Sequence, residues 1–89
     1  MSTQSKIVQL RQQVTLLSDN STKMAQQLAQ LKQRFAQTAS AVQGQIGGSA
    51  RQTDRTIVAA LQAAEKKLDE AAAALQHASS EGRKFASTL

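Results

Sequence analysis

His77 is the single histidine among 89 residues, and the chain has no cysteine. Nucleophilic catalysis needs a base held beside a Ser, Thr or Cys and a third group to orient it. His77 is the only candidate imidazole. It falls between Leu75 and Ala78 of an apolar repeat, at the edge of a helical face, where a solvated ring is the simple reading. Glu65, Asp69 and Glu70 stand at i, i+4 and i+5. Glu65 and Asp69 share one face and could hold a cation, but two carboxylates without His or Cys make a weak site. Lys66 and Lys67 beside them favour a solvated, charge-paired surface. Gly44, Gly47 and Gly48 form G-x-x-G-G. No strand precedes them and no Lys-Ser/Thr follows, so they make neither a dinucleotide fingerprint nor a phosphate loop. Their expected role is a tight turn. The chain is therefore read as non-enzymatic, with no catalytic residue, no metal site and no cofactor.

The elements that carry these residues are two long helices. There is no Pro, and three of the four Gly sit in the middle of the chain. In the first half Ile7, Leu10, Val14, Leu17, Ser21, Met24, Leu28, Leu31, Phe35, Thr38 and Val42 recur at spacings of three and four. That is a heptad repeat, with a at Ile7, Val14, Ser21, Leu28, Phe35 and Val42 and d at Leu10, Leu17, Met24, Leu31 and Thr38. The second half repeats it at Ile57, Leu61, Ala64, Leu68, Ala71, Leu75, Ala78, Gly82, Phe85 and Leu89. Its flanks Val58, Ala60, Ala72, Ala74 and Ala86 widen the apolar face. Gly44 suits the C′ position of the first helix. Ser49-Ala50-Arg51-Gln52 has the form of a capping box for the second. The pattern predicts helix 1 over about 5–43, a turn at 44–49 and helix 2 over about 50–87. A connection this short makes the helices antiparallel, so residues 1–89 are read as a single all-α helical hairpin.

Hydrophobic residues make up 40% of the chain, but nearly half of them are Ala and the aromatics amount to two Phe. A small domain buries only about 60% of its unfolded surface and is marginal without a disulfide, a metal or a partner. The residue content excludes disulfides and argues against a metal, leaving a partner. Two hairpins side by side would make a four-helix bundle and cover the Ala-rich flanks of helix 2. The net charge is +5, and the first half is the more basic: Lys6, Arg11, Lys23, Lys32 and Arg34 against Asp19. Basic residues this dispersed, without Tyr or Trp, are not those of a nucleic-acid interface. They suit an acidic protein partner. An amphipathic helix can also lie on a lipid surface, though a stripe rich in Ala and lacking Trp would bind it weakly. No apolar run reaches the roughly 18 residues of a membrane span, and Met1–Leu10 lacks the apolar core of a secretory signal peptide.

At the turn, Ala41-Val42-Gln43-Gly44-Gln45-Ile46-Gly47-Gly48-Ser49-Ala50 resembles the turn of the ESAT-like family. These are Trp-X-Gly proteins of about a hundred residues exported by type VII (ESX) secretion systems. Ile46 stands in place of the Trp, Gly47 is X and Gly48 is the Gly. Ala60 to Leu75 is similar in style to the culture-filtrate-antigen branch, which supplies one half of an obligate heterodimer. The family's export signal is Tyr-x-x-x-Asp/Glu after the second helix. Phe85 would be its aromatic, but Leu89 replaces the acid, which leaves three readings: export with a partner that supplies the signal, no export, or Phe85 and Leu89 as simply the last two positions of the apolar repeat. The resemblance implies a protein secreted without a Sec signal peptide, or cytoplasmic before export. Its partner would be a similar hairpin, as homodimer or heterodimer, or a larger effector.

The expected function is thus association through helical pairing. A helical-hairpin subunit or coiled-coil adaptor of another assembly, or a membrane-active amphipathic protein, are the alternatives. Leu10, Leu17, Leu28, Leu31, Phe35, Ile57, Leu61, Leu68 and Leu75 are the expected packing residues. Ile46, Gly47 and Gly48 are the turn motif and Phe85 the candidate signal residue.

Overall fold

A computed structural model describes residues 3–46 and 52–89. Two α-helices account for nearly all of them: α1 over Thr3–Ile46 and α2 over Gln52–Thr88. Ala, Leu, Gln and Lys, all good helix formers, fill both, with no Pro to interrupt them. The two helices pack against each other along their length. The hairpin measures 70 × 17 × 13 Å, with a radius of gyration of 20.2 Å. A globular chain of this length would have a radius near 12 Å, so there is no central core, only a seam between two rods.

Helix α1 continues through Gly44 to Ile46. Gly44 is thus helical rather than the C′ residue expected, and a Cβ there would meet no atom. Gly47, Gly48 and the capping-box residues Ser49 to Arg51 lie outside the described residues.

The seam departs from the heptad assignment. On α1 the less exposed positions are Val14, Ser18, Asp19, Ser21, Thr22, Ala25, Leu28, Lys32, Phe35, Ala36, Ala39 and Val42. From Val14 onward these are the a and e positions with Asp19, Thr22 and Ala36 beside them, and none is a d position. Ser18, Ser21, Ala25 and Ala39 are buried, whereas the d residues Leu10, Leu17, Met24 and Leu31 are exposed. On α2 the less exposed positions are Val58, Leu61, Ala64, Glu65, Leu68, Ala72, Leu75, Ser79, Gly82 and Ala86, with Leu89 just beyond its end. Leu61, Ala64, Leu68, Leu75, Gly82 and Leu89 stand where expected. The rest of the repeat is shifted by one residue, so Ile57, Ala71, Ala78 and Phe85 face solvent while Val58, Ser79 and Ala86 are buried. Small side chains explain the choice. Ser, Ala and Gly let two backbones approach closely, and bulky d residues in the seam would hold them apart.

The helices approach closely at Gly82. A Cβ added there would overlap Ser18 Oγ and lie 3.6 Å from both Ser18 Cβ and Val14 Cγ1. One turn along, the Thr22 and Ser79 hydroxyls are 2.8 Å apart in a cross-helix hydrogen bond. Thr22 Oγ1 also lies 3.2 Å from the Ser18 carbonyl. At the far end of α2 the Arg11 guanidinium donates to the Leu89 carbonyl. Ser87 and Thr88 bond back to the carbonyls of Lys84 and Phe85, both at 2.7 Å, satisfying acceptors that the helix end leaves open.

Candidate interaction surface

The residues singled out for chemistry are not brought together. His77 is exposed. Asp69 reaches across the hairpin to Lys32, with Nζ and Oδ2 2.7 Å apart. Lys67 pairs with Glu70 at 3.6 Å rather than with Glu65 or Asp69. Glu65 is half-buried in the seam. Among the described residues no three His, Cys, Asp or Glu are grouped so as to hold a metal ion. No helix among them is long and apolar enough to cross a membrane.

What the fold assembles instead is a surface. At roughly 100° per residue, the d positions of α1 lie about 80° to one side of its buried stripe. Ile57, Ala64, Ala71, Ala78 and Phe85 are displaced by the same angle in the same rotational sense on α2. Because the helices are antiparallel, equal displacements bring both stripes to one side of the hairpin. The Thr22–Ser79 and Lys32–Asp69 pairs set the register. They place Leu17 level with Phe85, Met24 with Ala78 and Leu31 with Ala71. Leu17 is 65% exposed, Met24 51% and Phe85 48%, with Leu10, Leu31 and Ile57 also open.

The opposite side is more polar, although Val8 and Leu16 are also exposed away from the Leu17 stripe. It carries Lys32–Asp69 and Arg83–Asp19, the latter 2.8 Å between Nη2 and Oδ1. One side of the hairpin therefore holds cross-helix ion pairs, and the other holds Leu, Met, Ile, Phe and Ala.

The expected packing residues divide between two roles. Leu28, Phe35, Leu61, Leu68 and Leu75 are half-buried and close the hairpin; Leu10, Leu17, Leu31 and Ile57 stand on its open face. Phe85 stands with them as the largest exposed apolar group of α2. Sequence reasoning missed Ser18, Ala25, Ala39 and Ser79 as seam residues. Their signal was a second small-residue register beside the bulky one. Comparison with known proteins finds no family model, no curated protein and no solved structure that matches the chain.

Proposed function

We propose that this chain is a helical-pairing protein of the ESAT-like, type VII secretion-associated kind, whose activity is association with a helical partner. The single observation that carries the pairing is the exposed stripe of Leu10, Leu17, Met24, Leu31, Ile57 and Phe85. Contiguous apolar surface of this length marks an interaction site on a water-exposed protein. A helix with apolar or small residues at a, d and e has a face wide enough for two neighbours. Here a and e are used by the hairpin, and d is left for a second layer. The secretion assignment rests on the two-helix layout and the Gln43-Gly44-Gln45-Ile46-Gly47-Gly48 segment.

The test is to express the tagged chain in its own organism with and without an intact type VII machine. The expected result is a chain recovered from the medium, in a complex, only when the machine is intact. Recovery that is independent of the machine removes the secretion assignment. A chain that stays monomeric in every fraction removes the pairing.

A further inference from the structure

We propose that the hairpin has a second packing of its own two helices, in which the d residues close the seam and the small e residues open to water. Neither packing needs a partner, so the exchange stands apart from the pairing reading. In the packing described above, Gly82 lies against Ser18 and Val14. The register that follows sets a residues of one helix level with e residues of the other. Ser18 is then level with Gly82, Ala25 with Leu75, Lys32 with Leu68 and Phe35 with Glu65. Two of these layers carry a charged residue, and Lys32 and Glu65 are both half-buried. Sliding one helix by a single residue, about 1.5 Å, pairs a with d instead. Leu17 comes level with Gly82, Met24 with Leu75, Leu28 with Ala71, Leu31 with Leu68 and Phe35 with Ala64. Lys32 and Glu65 leave the seam, and Leu17, Leu28 and Phe35 each face a small partner.

The rotation required is small. At about 100° per residue, e stands about 40° to one side of a, and d about 60° to the other. Turning each helix by about 50° therefore exchanges the two flanks. The helices are antiparallel, so they counter-rotate like meshed wheels. Val14, Ser21, Leu28, Phe35 and Val42, with Leu61, Leu68, Leu75 and Gly82, serve in both packings. Each packing has its own source of stability. The first has the close approach at Gly82 and the 2.8 Å Thr22–Ser79 hydrogen bond. The second buries Leu17, Met24, Leu31, Ile57 and Phe85, all exposed in the first. Packed seams take discrete arrangements rather than intermediate ones. The open stripe is thus shown in one arrangement and covered by the hairpin itself in the other. Any occupant of the stripe selects the first, and its apparent affinity falls with the fraction of chains held in the second.

Neighbouring positions report the two packings, and the chain has no native cysteine. Ala78 is exposed and Ser79 is buried; the second packing turns Ala78 toward Ser21 and Ser79 outward. In the full-length chain, thiol labelling is expected to be fast at Ala78→Cys and slow at Ser79→Cys. Ala25 is 1% exposed, so Ala25→Glu forbids the first packing. In that background the chain should stay helical and the two rates should change places, with Ser79→Cys faster by about 10-fold or more, because an unpaired buried carboxylate is driven out to water. Leu17→Glu forbids only the second packing and should keep the original order of rates. The two substitutions together leave no packing open, and cooperative unfolding should be lost. An Ala25→Glu chain that unfolds, or that stays helical with Ser79→Cys still protected, overturns the second packing. So does a Leu17→Glu change that is neutral in the Ala25→Glu background. Shielding of Ala78→Cys only at high chain concentration, with Ser79→Cys still protected, is association on the existing face; it overturns the exchange and leaves the pairing reading standing.

Discussion

Replacing Gly82 by Ala sets two effects of opposite sign against each other. A mid-helix Gly→Ala change favours the helix by about 1 kcal/mol. In this hairpin the new Cβ would overlap Ser18 Oγ, and Ser18 is 2% exposed, with little room to turn aside. Overpacking of a tight contact costs about 1–3 kcal/mol. Gly82→Ala alone is therefore expected to be destabilising by about 1 kcal/mol. In a Ser18→Ala background the obstructing oxygen is gone, and the nearest atoms lie at the ordinary contact distance of 3.6 Å. There the same substitution should stabilise by about 1 kcal/mol, from propensity alone. The assay is urea unfolding followed by circular dichroism at fixed chain concentration, for the four chains of the double-mutant cycle. The expected coupling is about 2 kcal/mol, well beyond the scatter of additive sites. Equal effects in the two backgrounds would refute the close approach of α1 and α2 at this point, and with it the small-residue register.

Three further outcomes follow from the same seam. Ala25→Leu should cost about 1–3 kcal/mol by overfilling a buried position, measured by the same unfolding assay, whereas Leu16→Ala on the exposed surface should stay within about 0.5 kcal/mol. Thr22→Val should cost about 1–2 kcal/mol, since it takes the 2.8 Å hydrogen-bond partner from buried Ser79; Thr22→Ser should recover most of it. Lys32→Ala should cost no more than about 1 kcal/mol, because its ion pair with Asp69 is open to solvent, and the difference from wild type should shrink as salt is raised.

The two-rod architecture was legible because its signals are long and consistent. Heptads without a slip, no Pro and a central Gly cluster allow little else. The positions common to both registers, Val14, Ser21, Leu28, Phe35, Val42, Leu61, Ala64, Leu68, Leu75, Gly82 and Leu89, were placed correctly for the same reason. The face each helix turns to its neighbour was not. Val14, Leu28 and Phe35 are flanked on one side by Leu10, Leu17 and Leu31 and on the other by Ser18, Ala25 and Ala39. A hydrophobicity pattern weights the bulky flank. Close packing of two rods favours the small one, because backbone proximity is lost with every added methylene. Gly44 misled for a related reason. Gly stops a helix where a left-handed residue completes the end, yet costs only about 1 kcal/mol inside one, and α1 runs on through it to Ile46. The candidate surface was half legible: Leu10, Leu17, Leu31 and Ile57 could be named as packing and interface residues and Phe85 as a terminal signal, but the helix 2 flanks expected to be uncovered are partly in the seam, with Val58 and Ala86 buried and Ala72 half-buried.

A contact made of methyls, hydroxyls and a missing side chain has a thermal consequence. Heat capacity of unfolding scales with the nonpolar area released to water. The Ser18–Gly82 and Thr22–Ser79 crossings release little. A solitary hairpin should therefore melt over a broad range of temperature, with a shallow calorimetric step and a gentle denaturant slope. Covering Leu17, Met24 and Phe85 would sharpen both. The abruptness of the melt, followed as the chain is diluted, becomes a gauge of how much of that side is covered.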